Sequence, residues 1–402
     1  MAARRRSWAD LPADLVAEIA RRLPCVADRV QAARTCRTWL EGVLMDPCPP
    51  QPPWLLRPYQ TAAALPPGAT RTASFFCVLC DRIHRVAVPD HTGGARFFGA
   101  YPGGWLFLAY GQSCGHGLIN LSTREGLNLP DYFIFTLDGL EWLLHPMRIR
   151  ASTLSAPPAS PEGCVAAGIV TILIAPCFFS LLHITLWRMG STVASCTNPF
   201  DAEDVIYHDG AFHFVNLLGN LLLCRPEFQD EAPLEQLQVR QEGRVMMGEV
   251  PYAVGACYLV ECRGELLMVW RIQRRQGVTS SFRLFRMTRE QEAPDADDGI
   301  GAGQALYRWT ELPALEGRML FVGRGCSRSF EAAHFPGARE GVYFLDDWSF
   351  HPAAMMGYGY GDGPWKYGCS NNGVWSGPPD HVRYWFPGQL PSTYSSPVWL
   401  LH

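Results

Sequence analysis

Lysine is all but absent: Lys366 is the single lysine among the 34 basic residues, and every other is arginine. Biased codon usage in a GC-rich genome accounts for this and for the abundant alanine and proline. An excess of either charge is missing too. With 34 basic against 38 acidic residues and a net charge of −4, the chain has no electrostatic footprint for phosphate backbones or anionic lipid. Nucleic acid is therefore not an expected partner. No apolar run follows the arginines of "MAARRRSWADLP", which excludes an export leader there, and Arg4 to Arg6 form too short a cluster for a nuclear address. The 14 cysteines then read as reduced thiols of cytosol or nucleus, not as a disulfide framework.

The signatures of familiar chemistry are also lacking. "GYGYGDG", Gly357 to Gly363, is glycine-rich, yet no lysine-serine or lysine-threonine pair follows and no helix is predicted after it, so it reads as an aromatic loop. No G-x-S-x-G elbow, H-E-x-x-H helix or dinucleotide-binding unit appears. Cys77-x-x-Cys80 with His84 and His91 has ligand types that zinc favours. The run "ASFFCVLCDRIHRVAV" nevertheless reads as two strands around a turn at Asp81-Arg82, and the histidine spacing fits no standard finger. Hairpin thiols without a metal are expected. Asp204, His208, Asp209 and His213 combine carboxylates with imidazoles, as acid and base work requires. His208-Asp209-Gly210 is better read as a hairpin turn, with His213 in the returning strand. Neither a catalytic residue nor a cofactor is expected. The one long uncharged run, Val165 to Trp187, has Pro176 at its middle and many β-branched residues, and so reads as two buried strands turning near Ala175-Pro176, not a membrane span.

What is present falls into two parts. Hydrophobic content of 48% with 18% charged residues describes a packed chain, and 402 residues exceed one small core. Near the start, Leu11, Leu15, Ile19 and Leu23 recur every four residues along one side of a helix. Pro12 suits the first helical position, Asp14 favours the positive end, Arg21 and Arg22 the other, and Pro24 ends it. Spacings of three or four through Val26, Val30 and Ala33, then Cys36, Trp39, Leu40 and Val43, predict two more helices. So small a unit buries too little to be stable alone, and some of its apolar residues must be covered by something else. Residues 46 to 70 are proline-rich without a period, as in a semi-rigid linker, so the cover is expected to be another protein.

From about Arg71 the text changes to short apolar runs ended by Gly, Asp or Asn, the pattern of stacked antiparallel hairpins. Roughly 330 residues at about 40 to 45 per four-stranded blade suggest seven or eight blades, a large sandwich or barrel being the competing architecture. Segments 155–163 and 290–303 read as surface loops. The tryptophans at 105, 187, 270, 309, 348, 365, 375, 385 and 399 are expected to pack between blades; in a competing reading they line a peptide- or glycan-binding surface while the helices dimerise.

The ordered set Leu11-Pro12, Asp14, Leu15, Ile19, Leu23 and Cys36-x-x-Trp39 resembles an F-box. Beyond the linker, "DAEDVIYHDGAFHFVNLLGNLLLC", "LFRMTRE", "WTELPALEGRMLFVGRGCSRSF" and "EGVYFLDD" look like the C-terminal domain of a large plant F-box family, the KIB-type F-box-associated group. The likeness runs discontinuously from about residue 97 to Trp399. The stretch from Pro161 to Gly190 is more apolar than that family leads one to expect. The resemblance implies an α+β multidomain chain: an F-box over 5–47, a linker over 48–70 and an all-β, propeller-like domain over 71–402. It further implies a substrate receptor of an SCF-type ubiquitin ligase, whose helices dock on a Skp-type adaptor and through it on cullin and RING subunits, in cytoplasm or nucleus and without membrane contact. Leu11, Pro12, Leu15, Ile19, Val30, Cys36 and Trp39 are the expected adaptor-facing residues, some of which must instead fill the small helical core. In that setting the scarcity of lysine has a second explanation, since a receptor held beside charged conjugating enzymes offers few acceptors of its own.

Overall fold

A computed structural model describes residues 7–23, 25–45, 50–58, 72–111, 114–137, 140–160, 163–173, 180–196, 200–228, 237–245, 254–274, 277–290, 306–347 and 367–402. The three predicted helices are α1 (Ala13–Arg21), α2 (Val26–Ala33) and α3 (Arg37–Leu44). Pro12 stands at the N-cap of α1, one position before the expected place, and Ser7 and Asp10 form a capping box around the short turn Trp8–Asp10. The side of α1 that is buried is Val16, Ala17 and Ala20, not the leucine row. Its cause lies in α3: a Cβ on Gly42 would come within 2.6 Å of Ala13 O and of Val16 Cβ, so the backbones approach too closely for leucine between them.

Strand β1 (Trp54–Arg57) follows, inside the stretch expected to be linker. Leu55 and Leu56 are buried there, so the β domain begins before residue 71 and the linker is shorter than the prolines suggested. With β2 (Thr72–Cys77) and β3 (Arg82–Ala87) it starts the first sheet. The second sheet is β4 (Arg96–Tyr101), β5 (Trp105–Gly111), β6 (Cys114–Asn120) and β7 (Gly126–Asn128). The third holds β8 (Tyr132–Leu137), β9 (Leu140–Leu154), β10 (Val165–Leu173), β11 (Ser180–Arg188) and β12 (Val193–Cys196), and closes on itself through a parallel pairing of β12 with β8. Next come β13 (Ala202–His208), β14 (Ala211–Asn216), β15 (Leu221–Phe228) and β16 (Leu237–Val245), then β17 (Val254–Cys262), β18 (Glu265–Gln273), β19 (Thr279–Glu290) and β20 (Leu306–Leu312). The sixth contains β21 (Arg318–Val322), β22 (Arg328–Glu331), β23 (Gly341–Phe344), β24 (Gly373–Ser376) and β25 (His381–Tyr384). Finally β26 (Val398–Leu400) returns to pair with β1.

Among the described residues there are thus six sheets. The blade arithmetic overshot because strands run long, 15 residues in β9 and 12 in β19, and because long segments separate some of them. Apolar clusters occupy each successive junction. Phe107, Ile149 and Trp187 fill the second, Phe214 and Ile184 the third, Trp270 and Val215 the fourth, and Tyr258 and Phe344 the fifth. A further cluster joins β1, β2 and β26 to both neighbouring sheets and closes the ring. The uncharged run of 165–187 is explained by this layering: Ala166, Val170 and Trp187 face the second sheet, whereas Val165, Ala167, Ile169, Ile184 and Leu186 face the fourth. Both faces are buried, so apolar residues do not alternate with polar ones. The described residues confirm an antiparallel β10–β11 pair, Pro176 lies outside them, and none of their helices is long and apolar enough to cross a membrane.

Candidate adaptor-docking surface and the clusters around it

The helical unit meets the β domain at one corner. Cys25, wholly buried between α1 and α2, together with Val26 and Ala27 joins the cluster of Trp54, Phe75 and Cys77. Across the same contact the Val26 N–H donates to Gln51 Oε1 at 3.2 Å, and Arg82 lies 3.7 Å from Asp28. Among the described residues, several apolar side chains on the other sides of the helices remain exposed. Of the expected docking residues, Leu15 is 49% and Val30 46% exposed. Pro12 is exposed as well, and Leu11, Ile19, Cys36 and Trp39 are half-buried. Trp39 is tied down by its indole N–H, which donates to Trp8 O at 3.0 Å. Leu40 and Leu44, 44% and 72% exposed and one turn apart on α3, were read in the sequence only as helix markers or not at all. Their spacing of four was the available signal.

Beneath this corner the structure brings Cys77, Cys80 and His84 together and adds a fourth group, Cys25. Cys77 Sγ donates to Cys25 Sγ at 3.7 Å, and His84 Nε2 lies 3.4 Å from Cys25 Sγ and 3.3 Å from Cys80 Sγ. The hydrogen bond from Cys77 holds the Cys25 thiol down to about 5 against the opposing effect of burial, while Cys77, the donor, is held far up. His91 belongs elsewhere, its ring 5.5 Å from that of Tyr110.

The second candidate constellation holds together only in part: the rings of His208 and His213 lie 5.7 Å apart, with His208 Nδ1 3.6 Å from the Glu261 carboxylate, while its carboxylates point elsewhere. Asp204 is wholly buried and turned toward other sheets, accepting the N–H groups of Val205 at 2.8 Å, Leu259 at 2.7 Å and Gly325 at 2.6 Å. Burial pushes its carboxyl up to about 7 against those donors. Asp209 and Gly210, with φ of +47° and +73°, make the tight turn that the sequence predicted. His213 is buried, with Nδ1 3.2 Å from its own strand's Ala211 O, and burial lowers its imidazole to about 4. These groups are committed to backbone, not to a common reacting point.

A cavity of about 470 Å³ is lined by Arg150, Glu203 and Arg324 together with Leu182, Leu217 and Leu218. Arg324 donates to Asp347 O at 2.7 Å and pairs with the Glu203 carboxylate. Burial works against its charge, but Glu203 and Asp347 outweigh that and hold the guanidinium protonated. Tyr258 OH and Arg271 converge on Asp347 Oδ1 at 2.7 and 3.2 Å, so these buried groups form a connected polar network with Arg324. Trp105, Trp187, Trp270, Trp309, Trp375 and Trp399 are buried, as expected of packing residues, and Trp348 and Trp365 lie outside the described residues.

Known proteins resemble this chain over most of its length. It is 21% identical to the "F-box protein At4g00893" of Arabidopsis thaliana over 80% of its own length and 78% of the relative's. It is equally 21% identical to the "F-box/kelch-repeat protein At1g57790" of the same plant, over 93% of this chain and 96% of that one. The KIB1-4 beta-propeller family model matches residues 74–374, a span that runs from β2 into β24 and takes in all the sheets of the ring. The ring of antiparallel sheets and that match together make this chain a member of the KIB1-4 beta-propeller family.

Proposed function

We propose that the chain is the substrate-recognition subunit of an SCF-type ubiquitin ligase, its N-terminal helices being an F-box that docks a Skp-type adaptor. One observation carries the reading: a helical unit fixed to the β domain by a single corner leaves Leu15, Val30, Leu40 and Leu44 in solvent. Such an apolar surface on so small a unit calls for a partner. The names of the two plant relatives support that choice of partner. Cullin and RING subunits join through the adaptor, and the β domain holds the target near the charged conjugating enzyme. Catalysis is then proximity: the receptor raises the effective concentration of a target lysine and supplies no reacting group.

Replacing Leu11 and Leu15 together by aspartate places two charges in the docking surface. Capture by purified Skp-type adaptor is expected to vanish, while the near-ultraviolet signal of the buried tryptophans is unchanged. Undiminished capture overturns the reading. Loss of self-association in the same variant, with no adaptor bound by the parent chain, supports the competing reading of a dimerising binding module.

A further inference from the structure

The geometry points to a structural zinc site formed by Cys25, Cys77, Cys80 and His84, which clamps the N-terminal helices to the first sheet of the ring. It goes beyond the ligase reading and stands whether or not an adaptor binds.

Four ligand atoms, three thiol sulfurs and one imidazole nitrogen, lie within 4.8 Å of one another. Zinc bonds of about 2.3 Å to sulfur and about 2.05 Å to nitrogen place the corners of a regular tetrahedron about 3.6 to 3.8 Å apart. Of the six separations between these atoms, those of 3.3, 3.4 and 3.7 Å meet that requirement or fall a few tenths below it, and the others lie within 4.8 Å, so metal binding would draw the ligands together by at most about an ångström. Cys25 and Cys77 are too far apart to be a disulfide, whose sulfurs lie about 2.05 Å from each other. Three soft thiols and one imidazole select zinc over oxygen-seeking calcium or magnesium, and four protein ligands close the coordination shell, as in structural and not catalytic sites.

Cys25 is the N-cap of α2, at the corner between the first two helices. Asp81, the last residue of the turn between β2 and β3, takes a left-handed φ of +54°, and the turn leaves Cys80 Sγ 3.3 Å from His84 Nε2. His84 is oriented from behind by Trp54 of β1, its ring stacked at 4.7 Å, and Trp54 is in turn braced edge-on by His402 at 4.4 Å. Cys25 comes from the corner between α1 and α2, the other three from the β2–β3 hairpin. One ion therefore crosslinks residues 52 positions apart and sets the direction in which the helices project from the ring.

The full chain, purified without added metal, is expected to carry about one zinc per molecule by elemental mass spectrometry. Exchange with cobalt(II) is expected to give the visible ligand-field bands of a tetrahedral ion with sulfur-to-metal charge transfer. Cys25→Ser and His84→Ala should lose the zinc, and Cys114→Ser, an exposed thiol elsewhere, should keep it. The parent spectrum needs no variant to fold, so misfolded variants do not rescue the idea. Parent protein with under a tenth of an equivalent of zinc and no cobalt bands overturns it, as does a Cys25–Cys77 disulfide in peptide mapping. Full zinc in Cys25→Ser overturns the clamp.

Discussion

Asp131 shows how one side chain ties two sheets. It precedes β8 and accepts the N–H groups of Gly115 and His116, each at 3.0 Å, and His116 Nδ1 at 2.6 Å. Burial keeps the His116 imidazole neutral, so its Nδ1 carries the proton, and Nε2 faces the Ile149 N–H at 3.4 Å. Burial alone would raise the Asp131 carboxyl; His116 and the two amides outweigh it and hold it down at about 2. Because the folded value lies below the unfolded one, the carboxylate contributes stability at any pH above about 4, and the contribution disappears as pH falls toward 2. Asp131→Asn should therefore be less stable than the parent at pH 6, with the gap in urea midpoint narrowing below pH 4 and closing only toward pH 2. A gap that is constant with pH would show the charge to be irrelevant. Asp204 is the opposite case at the same scale, a carboxyl raised by burial and used as an acceptor for two strands and for the turn after β21.

Elements were legible where a local rule governs them. The turn Asp209-Gly210 follows from residues that tolerate left-handed backbone, and in the similar Arg263-Gly264 turn, φ of +56° and +76°, only the glycine does so; the β10–β11 pair followed from β-branched composition around a proline. The inward side of α1 was not legible, because it depends on what α3 presents. Gly42 has no side chain, so Val16 and Ala20 pack inward and leave the larger Leu15 outside. Strand β1 was hidden for a similar reason: its partner residues, Trp54 with Leu400 and with Cys77, are distant in sequence, and its flanking prolines signal only a break. Cys77, Cys80 and His84 were visible as one group but read as plain hairpin thiols, because the fourth member, Cys25, is linked to them by no periodicity. Gly42→Val tests the element-level account. The added branches would collide with α1, and the helical unit should lose roughly 1–3 kcal/mol, read as earlier proteolysis between residues 7 and 45 with the melting of the ring unchanged.

At the scale of the molecule, the class of architecture, stacked antiparallel hairpins after three helices, was legible, but not the number of sheets, which depends on strand length and on the lengths of chain between strands. The arginine bias also belongs here. Exposed arginines such as Arg85, Arg274 and Arg339 decorate the ring without lysine among the described residues, and Lys366 lies outside them. If the chain serves in a ligase, converting those three to lysine should raise its own ubiquitination several-fold in a reconstituted reaction. Equal modification of the parent and the variant leaves codon usage as the whole explanation.

The pairing of β26 with β1 has a further consequence, in time. Residues 54–57 leave the ribosome long before residues 398–400, and until the latter emerge the first sheet presents an open edge and the ring cannot shut. Synthesis at about 5 to 20 residues per second leaves that edge bare for tens of seconds. A nascent chain of this design should depend on chaperones that shield β edges, and premature termination a few codons early should yield aggregate and no shortened but working protein.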